Sequence, residues 1–207
     1  VLAIAKLDAN DDLSRRFGDL SLQGEASLDN GSIEAVATLL CESGVLSVRG
    51  TMRHDGKYHI NAKTRDLKLE RLAGVAGIDG NIKVEAVGCI KNPKNYADIK
   101  GQLLALKYNG YSYAPIDFVG KCTDEGVTAK IVTDDPNAKA LLTARYRIAD
   151  EKKFEFSLKA SDIKPYNLHL LDSDNGQRFA FNLNGDFFDY GSGKTILNAK
   201  FDNFYVV

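Results

Sequence analysis

Apolar and polar residues alternate along most of the chain in short runs, the period of a β-strand with one face toward an apolar environment. Phe154, Phe156, Leu158 and Ala160 alternate with Glu155, Ser157 and Lys159, and Phe179, Phe181 and Leu183 with Ala180, Asn182 and Asn184. Tyr58, Ile60 and Ala62 do the same against His59, Asn61 and Lys63. So do Leu142, Ala144, Tyr146 and Ile148 against Thr143, Arg145 and Arg147, and Ile82, Val84 and Ala86 against Lys83 and Glu85. Between the runs stand Asp29-Asn30-Gly31-Ser32, Asp55-Gly56, Asp135-Pro136-Asn137 and Asp174-Asn175-Gly176, residues that tolerate positive φ or start tight turns. The pattern predicts an all-β meander of antiparallel hairpins. Two windows break it, Asp66 to Val75 and Asp162 to Leu171, and each opens on an Asp able to cap a short helix. Both read as connecting turns or single-turn helices.

The two windows are 96 residues apart, and the offset recurs. Leu20, Leu22 and Gly24 precede Ile116, Phe118 and Gly120 by 96, and Gly88 precedes Gly185 by 97. The chain therefore reads as one continuous β-repeat segment, with repeat 1 over about 1–108 and repeat 2 over about 109–207. Such copies stack end to end into an elongated sheet.

With 207 residues, 44% hydrophobic and 27% charged, the composition is that of an ordinary globular chain, and it excludes disorder. A net charge of -1 without a basic block leaves no electrostatic footprint for nucleic acid. The longest apolar runs, VLAIA and LLAL, fall far short of the roughly 20 residues that span a bilayer. The chain opens on Val1-Leu2-Ala3 without an initiator Met, a basic segment or a cleavage site, and is expected to be an internal piece of a longer protein. Cys41, Cys89 and Cys122 are odd in number and far apart, which supports neither a zinc site nor a disulfide framework.

Chemistry-bearing patterns are sparse. His54, His59 and His169 are scattered and read as solvated residues. Gly185 to Thr195 ends like a P-loop, but Phe188 replaces its first glycine and a strand follows it, so a Gly-Ser-Gly hairpin is expected. Asp172, Asp174 and Gly176 lack the remaining ligands of a calcium loop and read as an Asx turn. Asn30-Gly31-Ser32 matches a glycosylation sequon but is first of all a type I′ turn. The nine tyrosines could stack on sugars; packing on a sheet with hydroxyls at the solvent edge explains them better. No catalytic set, metal or cofactor is expected.

Tyr108 to Lys121 (YNGYSYAPIDFVGK), the turn Asp134 to Lys139 and the segment SLKASDIKPYNLHLL together resemble the repeat of the TamB and AsmA-like proteins of the Gram-negative cell envelope. The likeness rests on Tyr111, Tyr113, Ile116, Phe118 and Gly120, on Asp135-Pro136-Asn137 and on the connector. The first copy lacks the tyrosine run and the Asp-Pro-Asn turn. The resemblance implies a periplasmic segment of a parent anchored in the inner membrane, built as a strongly curved sheet folded into a U-shaped trough. It also implies phospholipid acyl chains as cargo and a BamA-like outer-membrane partner bound through parts of the parent outside this chain. The expected function is non-catalytic shielding of acyl chains in an apolar groove. That groove would be lined by Tyr58, Ile60, Ala62, Ile82, Val84, Leu142, Ala144, Phe154, Phe156, Leu158, Phe179, Phe181 and Leu183. Two alternatives stand beside it: an interaction module whose strand edges assist outer-membrane protein assembly, and a carbohydrate-binding β-sandwich. Period 2 alone does not separate an open groove from a closed core.

Overall fold

The structure, a computed structural model, describes residues 3–6, 18–74, 76–91, 95–148, 152–174, 176–189 and 195–206. The described strands are β1 (Ala3–Lys6), β2 (Ser21–Asp29), β3 (Ser32–Cys41), β4 (Gly44–Arg53), β5 (Lys57–Arg65), β6 (Ile78–Cys89) and β7 (Tyr96–Tyr108). They continue with β8 (Tyr111–Ser112), β9 (Ile116–Thr123), β10 (Gly126–Asp135), β11 (Ala138–Arg147), β12 (Lys152–Ile163), β13 (Phe179–Asp189) and β14 (Thr195–Val206). The one described helix, α1 (Leu69–Ala73), lies between β5 and β6. All strands form one antiparallel sheet in sequence order, except that β8 is a short return on β7 and β9 takes the place beside β7.

The meander follows from its turns. Asn30 and Gly31 have φ of 47° and 76°, and Asn109 and Gly110 have φ of 47° and 78°. Positive φ at both central residues is the type I′ geometry whose twist matches that of the strands it joins. Asp55 accepts a hydrogen bond from the Lys57 amide at 3.1 Å, and the Gly176 amide donates to Asp174 Oδ1 at 2.8 Å, both Asx turns. The expected Gly-Ser-Gly turn and Asn175 lie outside the described residues.

The connectors differ from expectation. Neither Asp66 nor Asp162 caps a helix; both take left-handed backbone, with φ of 55° and 51°. A cap needs extended backbone at the residue that precedes the first turn. In α1 that position is Lys68, with no side-chain cap. The second connector forms turns over 165–169, closed by Leu168 N to Lys164 O at 3.1 Å and His169 N to Tyr166 O at 2.9 Å.

Several pairings of the first strands can be matched with pairings farther along the sheet. Asp29↔Ser32, Ala37↔Val48 and Cys41↔Gly44 return 94 residues later as Thr123↔Gly126, Ile131↔Leu142 and Asp135↔Ala138. At β5 the shift becomes 96, since Met52↔Tyr58 returns as Tyr146↔Phe154. Lys68 N donates to Ser43 O at 2.8 Å, and Lys164 N donates to Asn137 O at 2.9 Å, so each connector is tied to the turn before it. A constant offset of 96 therefore does not describe the strands. The ladder sets Gly24 against Phe118 instead of Gly120, and Gly88 against Phe187 instead of Gly185.

No second layer covers the sheet among the described residues. The accessible surface is 13867 Å², against about 9,500 Å² for a compact monomer of this mass. Sustained contacts between elements are those of neighbouring strands, apart from α1 against β6. Apolar side chains near full burial are few among the described residues: Leu106, Ala160 and Leu168.

A polar corner is among the most buried places of the described chain. The Asp135 carboxylate, 1% exposed, accepts hydrogen bonds from the Tyr111 hydroxyl at 2.6 Å, the Ala114 amide at 2.7 Å and the Asn137 amide at 2.8 Å. Asn137 Nδ2 donates to the Tyr111 oxygen at 3.0 Å, and Asn167 Nδ2 to Asn137 Oδ1 at 3.1 Å. The Tyr111 hydroxyl thus points inward, contrary to the expected solvent edge. Burial pushes the Asp135 carboxyl up, but the bonds from Tyr111, Ala114 and Asn137 outweigh it, with help from Lys164, and hold it below its ordinary value.

Asp135→Ala leaves these donors without their acceptor and should cost about 3 kcal/mol in urea unfolding. Because the folded carboxyl is depressed, its contribution is present in full above the unfolded value of about 3.9 and is lost as pH falls below it. The stability gap between the native chain and Asp135→Asn should hold from neutral pH to about pH 5, then shrink below about pH 4. A gap independent of pH would count against an ionised Asp135.

Candidate functional site: the apolar face

Residues directly opposite in a ladder share a face, so the registers define each side of the sheet. One row runs Ala26–Ala35–Gly50–Ile60–Ala86–Ile99–Gly120–Ala129–Ala144–Phe156–Gly185–Ala199. Beside it runs Val48–Ala62–Val84–Gly101–Phe118–Ile131–Leu142–Leu158–Leu183–Phe201. On the other side run Ile33–Met52–Tyr58–Gly88–Ala97–Cys122–Val127–Tyr146–Phe154–Phe187. The face is apolar from β2 to β14.

All thirteen residues predicted to line a groove lie on this face. Ile82 and Phe181 stand one row farther out, opposite Leu103 and Ala160. Phe179 follows a bulge and joins the face through rings: Phe179 to Phe204 at 6.0 Å, Phe204 to Phe201 at 6.0 Å, and Phe201 to Phe181 at 5.3 Å. The face stays accessible, with Ile33, Ile60 and Ile131 at 40%, 38% and 37% exposure. Sequence reasoning missed the lining from β2, β3, β4, β7, β9, β10 and β14. Their alternation is present, but Ala and Gly at so many of the apolar positions dilute it.

Mixing large and small residues shapes the surface. The Tyr58 ring covers Gly88, the Phe118 ring covers Gly101 and the Phe156 ring covers Gly185, so a Cβ at any of these glycines would collide with the ring. The first row is the smallest, nine of its twelve positions being Ala or Gly, and it runs across the strands between bulkier neighbours. Part of it deepens into a concavity of 510 Å³ lined by Ile33, Ala35, Gly50, Tyr58, Ile60 and Ile99, within the range of small-ligand sites. Burial pushes the Tyr58 hydroxyl up, so it stays neutral beside this apolar lining.

The opposite face is charged and locally paired. Glu85 meets Lys100 Nζ at 3.0 Å and His59 Nε2 at 3.0 Å; the Lys100 hydrogen bond above all holds its carboxyl low. Glu155 meets Lys153 at 2.7 Å and Arg147 at 2.9 Å, which lower it likewise. His169 Nδ1 lies 2.9 Å from the Asn109 carbonyl, and the carbonyl of His54 accepts from Lys91 Nζ. The three histidines thus lie at three places, in a turn, on β5 and in the second connector. Among the described residues no group of three His, Cys, Asp or Glu is placed to hold a metal, and no helix is long and apolar enough to cross a membrane. Cys41, Cys89 and Cys122 are free thiols.

No family model matches the chain, and neither does any curated protein or solved structure.

Gly101→Val should destabilise the chain by about 2–3 kcal/mol in urea unfolding, because its Cβ meets both the Phe118 ring and the Lys83 carbonyl. Gly120→Ala is the contrast. Its nearest neighbour, the Thr128 carbonyl, lies at 3.4 Å, and the change should stay within about 0.5 kcal/mol. Equal costs at the two sites would show that ring cover does not shape the face.

Proposed function

We propose that the chain is a non-catalytic segment that shields lipid acyl chains from water along its apolar face. The observation that carries this reading is a face apolar from β2 to β14 with no second layer over it among the described residues. A globular sheet buries such a face; here it stays accessible. Thirteen strands at about 4.8 Å make a surface about 58 Å across the strands, and sheets of more than about 10 strands tend to curl. Curling supports the U-shaped trough as the form of the groove.

The mechanism is passive. A fully buried methylene gains about 0.8 kcal/mol, and one lying on an open surface roughly half of that. Many weak, similar contacts hold a chain without a deep trap, so it slides along the row of small residues. We read the repeated ladder and the paired ties at Ser43 and Asn137 as a duplicated unit. With the resemblance to the TamB and AsmA-like repeat, this favours a periplasmic place within an inner-membrane-anchored parent, and a BamA-like partner for other parts of that parent. Assistance to outer-membrane protein assembly remains the second reading, favoured by the long outer edge of β14, along which no described strand pairs. A carbohydrate-binding sandwich would need a second sheet, and the described residues contain none.

The test is photo-crosslinking of the chain to a phospholipid with a diazirine in its acyl tail. Labels should map to the apolar face around Ile60 and Phe156. Ile60→Glu and Phe156→Glu should each lower capture about tenfold while the chain stays folded, because water reaches the new carboxylates on an open face. Lys159→Glu, on the charged face, should leave capture unchanged. Labelling spread over both faces, or a parent chain that captures nothing, would refute the groove.

A further inference from the structure

We infer that two copies of this chain join head to tail, the free edge of β14 in one pairing antiparallel with β2 of the next. The inference rests on the ladder alone and is independent of the lipid reading. Inside the chain β7 pairs with β9, and the registers make β9 the counterpart of β2, 94 residues on. They likewise make β14 the counterpart of β7, 100 residues on, because Val84↔Gly101 returns as Leu183↔Phe201. The β7–β9 junction is therefore a template for β14 against β2 of a second copy.

Carried across, the template sets residues opposite each other that fit. Gly101↔Phe118, an aromatic ring over a glycine, becomes Phe201↔Gly24 with the roles exchanged. Gln102↔Asp117, whose side chains are hydrogen-bonded at 2.6 Å, becomes Asp202↔Gln23, again exchanged. Lys100↔Val119 becomes Lys200↔Glu25, an ion pair on the charged face, and Ile99↔Gly120 becomes Ala199↔Ala26 on the apolar face. Swapped partners at two positions and opposite charges at a third make the two edges complementary.

The edge of β14 is open to such a partner, and that of β2 is open in part. Phe201 is 55% exposed, and β14 has no neighbour beyond it among the described residues. β1 pairs with Ser21 to Gly24, and no described residue pairs with Glu25 to Asp29 on that side, where Leu28 is 75% exposed. The twelve-residue β14 displaces the four-residue β1 from Gln23 and Gly24 as it docks. An interface between two different edges does not close at two copies and extends into a row.

Sedimentation velocity of the full chain over rising concentration tests this. Mass should grow beyond a dimer, and Lys200→Glu or Glu25→Lys alone should return the chain to monomer. An equimolar mixture of the two variants should assemble again, since every junction in an alternating row regains opposite charges; a variant that merely misfolds would not be rescued. A chain that stays monomeric at all concentrations would overturn the inference. So would assembly that stops at a dimer or ignores Glu25→Lys, the result expected if β14 paired with its own copy or if the apolar faces met.

Discussion

The whole architecture depends on the antiparallel backbone ladder, because it is the only interaction that reaches every described strand. In a sandwich a strand is held by its neighbours and by the sheet across the core. Among the described residues the sheet stands alone, and each inner strand relies on two ladders plus the side chains beside it on each face. Register therefore carries unusual weight. A slip of one residue would turn an entire strand's apolar side chains toward the charged face.

Several features guard that register. The rings of Tyr58, Phe118 and Phe156 fit over glycines on adjacent strands, and a slipped strand would set a ring against a Cβ. On the other side Glu85 bridges Lys100 and His59, and Glu155 bridges Lys153 and Arg147. These pairs are exposed and weak singly. Their value lies in discriminating between alignments, since shifted strands would bring like charges together. The connectors act at the ends of strands, where Lys68 and Lys164 bind the preceding turns and Asp135 gathers its donors.

Much of the fold was legible from residue pattern. Alternation of Phe154 to Ala160 or Tyr58 to Ala62 reports a strand directly, and Asn30-Gly31 reports its turn because few other residue pairs accept positive φ twice in a row. The thirteen lining residues shared a face because period 2 leaves them no other choice once paired. What stayed hidden was set by pairing between distant segments. Gly24 and Gly120 look equivalent by spacing, yet the loop after β4 is two residues shorter than the loop after β11, so the offset of 96 holds only beyond it and the ladder moves the match to Phe118. The buried role of Asp135 was equally invisible, since Tyr111 approaches from 24 residues away. The lack of a covering layer among the described residues leaves no mark on alternation, as one apolar face reads alike in an open sheet and in half of a sandwich.

The direction of the hydrogen bonds has a mechanical consequence. They run across the strands, along the long dimension of the sheet, while each hairpin turn lies at a strand end. Tension applied to the two ends of the chain reaches the outermost ladder at one end of a strand and opens its bonds singly, like a zipper, instead of shearing many together. Each hairpin of about 20 residues released in this way adds up to about 70 Å of length. Such a sheet yields at low force and lengthens in steps from its edges inward, a compliant spacer between two points whose separation varies.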